Sequence, residues 1–64
     1  MIKIHNKIIY ISNFNKIISI DNHLINLMYN NTKLKIEGLE LNIKYLSKDD
    51  IEIQGKINKV EFYE

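Results

Sequence analysis

From Thr32 to Phe62 the sequence alternates apolar and polar residues, and that two-residue period is the signature of strands with one dry and one wet face. Leu34 and Ile36 alternate with Lys33, Lys35 and Glu37. After Gly38, Leu39, Leu41, Ile43 and Tyr45 alternate with Glu40, Asn42 and Lys44. The polar cluster Ser47-Lys48-Asp49-Asp50 predicts a turn, and Ile51 and Ile53 then alternate with Glu52 and Gln54 up to Gly55. Ile57, Val60 and Phe62 form a last strand whose change of parity predicts a bulge at Asn58-Lys59.

The N-terminal half is more apolar and harder to phase. Ile2 and Ile4 predict a short strand, Asn6-Lys7 a turn, and Ile8 to Ile11 a second strand. Ser12 to Asn15 breaks the run, Ile17 to Ile20 resumes it, and Asp21-Asn22 offers another turn. Leu24 to Tyr29 then places Ile25, Leu27 and Tyr29 on one face. Asn30-Asn31 suits a two-residue hairpin loop, because asparagine tolerates the positive φ that a type I′ turn demands. Leu24, Leu27 and Met28 also have helical spacing, but a segment this short without alanine is weak as a helix. The expectation is an all-β chain, a small antiparallel sandwich, roll or barrel of about seven short strands. A short β-solenoid is the competing architecture, because Lys35-Ile36-Glu37-Gly38-Leu39 and Glu52-Ile53-Gln54-Gly55-Lys56 are weakly alike.

A chain of 64 residues sits near the lower limit at which a hydrophobic core alone sustains a domain. The usual supports are disulfides, a structural metal or burial against other copies. Cysteine is absent, which removes disulfides and thiolate ligands. His5 and His23 stand alone beside asparagines and read as surface histidines, so neither metal nor cofactor is expected. With 45% of residues apolar, oligomerisation becomes the expected support. A terminal strand such as Val60 to Tyr63 would leave an edge open to pairing.

Arginine is also absent and the net charge is only +1, so no strong field favours nucleic acid and the bidentate fork that reads phosphates and bases is missing. Lys33, Lys35 and Lys44 are expected on one wet face, yet Glu37, Glu40 and Glu52 fall there too and cross-strand pairing explains them. A nucleic-acid-binding small barrel is therefore the alternative function, with Tyr10, Tyr29, Tyr45 and Tyr63 as its candidate stacking residues. Of these, Tyr29 and Tyr45 are expected to face inward. Ser12, Ser19 and Ser47 lack a nucleophile-elbow pattern, and Asp49-Asp50 lacks the glycine and distal glutamate of a calcium loop. No catalytic residue is expected. No apolar run is long enough to span a bilayer and Met1 to His5 does not read as a signal peptide, so the expected place is the cytoplasm.

Several stretches carry a family likeness. Ile9-Tyr10-Ile11-Ser12-Asn13-Phe14, Lys16-Ile17-Ile18-Ser19-Ile20-Asp21, Ile36-Glu37-Gly38 followed by Leu41, and Ile53-Gln54-Gly55-Lys56-Ile57 followed by Phe62-Tyr63 resemble the YabP/YqfC family of sporulation proteins of endospore-forming Bacillota. The likeness covers nearly the whole chain, which is taken as one YabP/YqfC-like β domain over residues 1–64, and its short length is closer to the YqfC branch. Where members have a glycine in the first strand this chain has Ser12-Asn13-Phe14, and in the central hairpin it has Asn30-Asn31. The resemblance implies a non-enzymatic role in endospore formation, on the mother-cell or forespore side. It also implies a membrane-associated, YqfD-like partner that could hold the chain at a membrane surface. Asn30, Asn31, Gly38 and Gly55 are the residues singled out, all as structural turn or bulge positions.

Overall fold

A computed structural model describes residues 1–63 of the chain. The chain forms six strands: β1 (Ile2–His5), β2 (Ile8–Ser12), β3 (Lys16–Ile20), β4 (Leu24–Tyr29), β5 (Thr32–Leu46) and β6 (Asp50–Tyr63). They make one antiparallel sheet in the order β1-β2-β6-β5-β4-β3. The strand count is six rather than about seven because Gly38 and Gly55 bend strands instead of ending them. Every pairing is antiparallel, so the architecture is the expected sandwich or roll and not a solenoid.

Because β5 and β6 are bent, the single sheet supplies two layers. In the first layer Asp50–Gln54 of β6 lies between β2 and the Asn42–Leu46 part of β5, with β1 outermost. In the second, Thr32–Glu37 of β5 lies between β4 and the Lys59–Tyr63 part of β6, with β3 outermost. Each layer contributes two cross-strand pairs of fully buried side chains. These are Ile9 opposite Ile53 and Ile11 opposite Ile51 in the first, and Ile25 opposite Ile36 and Leu27 opposite Leu34 in the second. The eight meet in one core that Phe14 and Leu41 complete. Cross-strand β-branched and leucine pairs are the unit that stabilises a sheet face, and here two such pairs from each layer make the interior.

The two layers are built to one plan. In each, a hairpin docks onto the first half of a long strand, and the turn of that hairpin accepts the amide of the glycine where the strand bends. The Gly55 N–H donates to the Lys7 carbonyl at 3.0 Å, and the Gly38 N–H donates to the His23 carbonyl at 3.1 Å. The weak likeness between the segments around Gly38 and Gly55 therefore marks equivalent positions in two layers.

The bend itself is a close backbone contact. A Cβ on Gly38 would lie 2.1 Å from the Lys56 carbonyl oxygen, and one on Gly55 would lie 2.8 Å from that of Glu40. Both absent Cβ atoms would also stand 3.0 Å from Leu41 Cδ2, so one leucine fills the space that two glycines leave. Gly55 has φ 149° and Glu40 φ 54°, conformations an L-residue adopts only at a cost. The β5–β6 register shifts at Glu37/Gly38 and again between Leu39 and Asn42. Asn58 is the extra residue opposite the first shift, where parity predicts a bulge.

Asparagine makes the turns. Asn30 and Asn31 have φ 53° and 64° between the paired Tyr29 and Thr32, and Asn6 has φ 55° in the β1–β2 turn. Asn13, at φ 64°, directs the chain from one layer to the other. There the N–H groups of Asn13 and Phe14 donate to the Asp49 carbonyl, while the N–H of Asn15 donates to that of Met28. Left-handed backbone costs an ordinary L-residue roughly 1–2 kcal/mol, a penalty asparagine meets best among non-glycine residues.

Gly38→Ala places a methyl group against backbone that can retreat only by opening the β5–β6 pairing. Urea unfolding should show a loss of about 2–4 kcal/mol, read as a lower midpoint. Asn13→Gly keeps the required backbone and should change stability by less than about 1 kcal/mol. Equal midpoints for the two variants would contradict this account of the bend.

Candidate interaction surface

No cavity or cleft opens among the described residues, and no three His, Asp or Glu side chains there converge on a metal position. The residues singled out in the sequence lie apart. Asn30-Asn31 closes β4 onto β5, Gly38 and Gly55 sit at the bend, and all four act through the backbone. His5 pairs in register with Ile8. At the other turn His23 Nδ1 lies 2.9 Å from Asn22 Oδ1 and 3.7 Å from Asp21 Oδ1. His5 thus ends β1 and His23 lies in the turn before β4, and the two do not meet.

Asp49 and Asp50 close the β5–β6 turn. The Ser47 N–H donates to the Asp50 carbonyl at 2.9 Å, and the Asp50 N–H donates to Ser47 Oγ at 3.1 Å. Ser19 Oγ accepts from Asn26 Nδ2 at 3.1 Å. These backbone groups and hydroxyls are occupied with local structure.

The outer faces are where the tyrosines and charges gather. On the first layer, Lys3, Tyr10, Glu52 and Tyr45 form one register row. Tyr45 points outward, 52% exposed, rather than inward, because the register shift between Ile43 and Tyr45 reverses the parity of the strand. Lys44 falls at that shift, so it does not share a face with Lys33 and Lys35, which lie on the second layer. Partial burial, and after it the Asp50 carboxylate, raises the Tyr10 hydroxyl above its ordinary pKa. On the second layer Lys33 Nζ and Lys35 Nζ lie 5.9 and 6.0 Å from the centre of the Tyr63 ring. Tyr29 faces inward as expected, its ring 6.2 Å from that of Phe62.

The sheet leaves four stretches without a neighbour on one side: β1, β3, the second half of β5 and the second half of β6. Ile4, Ile20, Leu46 and Phe62 lie on these stretches. Each shares a register row with buried core residues, yet each is about half exposed. The inward rows therefore run past the cover that the opposite layer provides. Sequence periodicity places Ile4 and Phe62 inward but says nothing of where cover ends, and Leu46 turns inward only through the register shift between Ile43 and Tyr45.

The arrangement defines a small antiparallel β roll whose accessible features are open edges and outer faces. Its sequence matches the YabP family across residues 2–64, and the chain belongs to that family. No curated protein and no solved structure shows a match to it. Membership points to a sporulation-associated role. No helix among the described residues is long and apolar enough to cross a membrane.

A hydroxyl whose pKa is raised on folding contributes stability below its unfolded pKa and loses it as pH rises through the folded one. Asp50→Asn removes one cause of the rise, so the alkaline midpoint of Tyr10 should fall toward its ordinary value. Tyrosinate absorbance, with Tyr10→Phe as the subtraction, reads this; an unchanged midpoint would exclude the Asp50 carboxylate as a cause.

Proposed function

We propose that the chain is a non-enzymatic β domain that serves endospore formation through protein contacts, with self-assembly as part of that work. The observation that supports this most is the set of half-exposed apolar residues, Ile4, Ile20, Leu46 and Phe62, on strands that lack a neighbour. Open edges offer backbone hydrogen bonds to an added strand, and adjacent apolar side chains supply the burial that makes such pairing favourable. Kinship adds a sporulation protein held in a membrane as a partner for the same edges. The working place is then the cytoplasm of the mother cell or forespore, at a membrane surface where that partner holds the chain.

A nucleic-acid-binding module is the second reading, and Lys33 and Lys35 beside the Tyr63 ring favour it. Against it, Lys35 stands in register with Glu61, and Glu37 with Lys59, which neutralises most of that face.

Light scattering at high micromolar concentration should give a mass that is a multiple of 7.6 kDa. A strict monomer would remove self-assembly. For the second reading, salt-sensitive binding to a mixed oligonucleotide pool that disappears on Lys33→Gln and Lys35→Gln substitution would displace the first, while no binding at low salt ends it.

A further inference from the structure

We propose that the second half of β6 is a dimerisation edge at which two copies pair antiparallel around Lys59–Glu61, with Val60 of each copy on the two-fold axis. The inference rests on the self-assembly reading and names the surface and register that carry it.

The four free edges are not equally fit to pair. β1 is four residues long. β3 carries a register shift between Ile17 and Ser19, and the second half of β5 carries one between Ile43 and Tyr45. Irregularities of this kind and short length are how edges are kept from pairing. Lys59 to Tyr63 is in unbroken register with Lys33 to Glu37, and no strand other than β5 lies beside it. It is the regular free edge of the second layer.

Backbone direction follows from the Asn30-Asn31 turn. A two-residue hairpin makes its closing pair, Tyr29 and Thr32, a hydrogen-bonded pair. Hydrogen-bonded and non-bonded pairs then alternate, which turns the backbone groups of Lys33, Lys35 and Glu37 toward β6. Their register partners Tyr63, Glu61 and Lys59 answer them. The N–H and C=O groups of Val60 and Phe62 accordingly point away from the sheet, with no strand to receive them.

Charge selects the register. An isologous antiparallel pairing places one residue opposite its own copy, and Val60 and Glu61 are the two positions that keep both Lys59 and Glu61 within the paired stretch and clear of its end. With Glu61 on the axis the two Glu61 carboxylates would face each other. With Val60 there, Lys59 faces Glu61 of the second copy, and Glu61 faces its Lys59. Within one chain Glu37 already stands opposite Lys59, and Lys35 opposite Glu61. The pairing therefore continues each row across four strands with alternating sign, from Glu37 to Lys59 and on to Glu61 and Lys35 of the second copy. Lys59 and Glu61 also form an exposed ion pair at 3.5 Å within one chain, which leaves both side chains free to re-pair. On the inward face, Val60 gains cover from Val60 of the second copy.

The chain has no cysteine of its own, so single-cysteine variants give an unambiguous test. A mixture of Lys59→Cys and Glu61→Cys proteins, oxidised under mild conditions, should yield a disulfide-linked dimer, whereas neither protein alone should. Lys59→Glu and Glu61→Lys proteins should each dimerise about tenfold more weakly alone, and mixing the two should restore dimerisation, because residue 59 of one copy then faces the opposite charge at residue 61 of the other. Both positions are solvent-accessible, so the fold should tolerate them. A wild-type protein that stays monomeric overturns the self-assembly reading and this proposal together. A multimer whose mass ignores Lys59→Glu and whose cysteine mixture does not cross-link overturns the β6 edge alone. Weakening of both single variants without restoration on mixing overturns the Val60 register.

Discussion

The contact on which the rest of the molecule depends is the approach of β5 and β6 where neither has room for a side chain. At Gly38 the partner strand's carbonyl oxygen occupies the place of a Cβ, and at Gly55 the backbone adopts an angle that glycine takes freely. Strong bending of a paired hairpin needs such positions, because a pleated ladder of side-chain-bearing residues resists it. Once bent, one hairpin supplies the central strands of two layers. Without the bend the same residues would form a flat sheet with its apolar face in water.

This economy explains how 64 residues form a core without disulfide or cysteine-bound metal. Each fully buried isoleucine or leucine contributes roughly 1.5–3 kcal/mol relative to exposure, against about 1–2 kcal/mol of backbone entropy for every ordered residue. Margins are therefore narrow, and the two-layer plan places all eight fully buried residues in cross-strand contact. The cost appears at the rims. The layers are too small to cover each other, and inward residues such as Ile4 and Phe62 remain half in water.

Much of the fold was legible as pattern. Alternation marked the strands, asparagines marked turns, and parity marked the bulge at Asn58. What alternation cannot report is an interruption that keeps the strand going. Gly38 and Gly55 look like strand ends in sequence because glycine commonly is one, and only the partner strand's proximity makes them bends. For the same reason Tyr45 was misplaced: a one-residue register shift moves every later side chain to the other face, and nothing local to Lys44 announces it. Family kinship was legible over nearly all of the chain, since it resides in the segments around the two glycines. The interaction surface was less so, because Val60 to Tyr63 could be read as an edge while the exposure of Ile4, Ile20 and Leu46 depends on how far one layer extends over the other.

The order of pairing along the chain also has a kinetic side. β3, β4 and the first half of β5 follow one another directly, and the hairpin to β6 closes through a short turn. The second layer can thus form from neighbours in sequence. The first layer requires Ile9 to find Ile53 and Ile11 to find Ile51, contacts that span most of the chain and carry the larger loop-closure entropy. The layer that holds the N-terminal hairpin is therefore the one assembled late and opened early, and the amide exchange of Ile9 and Ile11 is where that difference would first be felt.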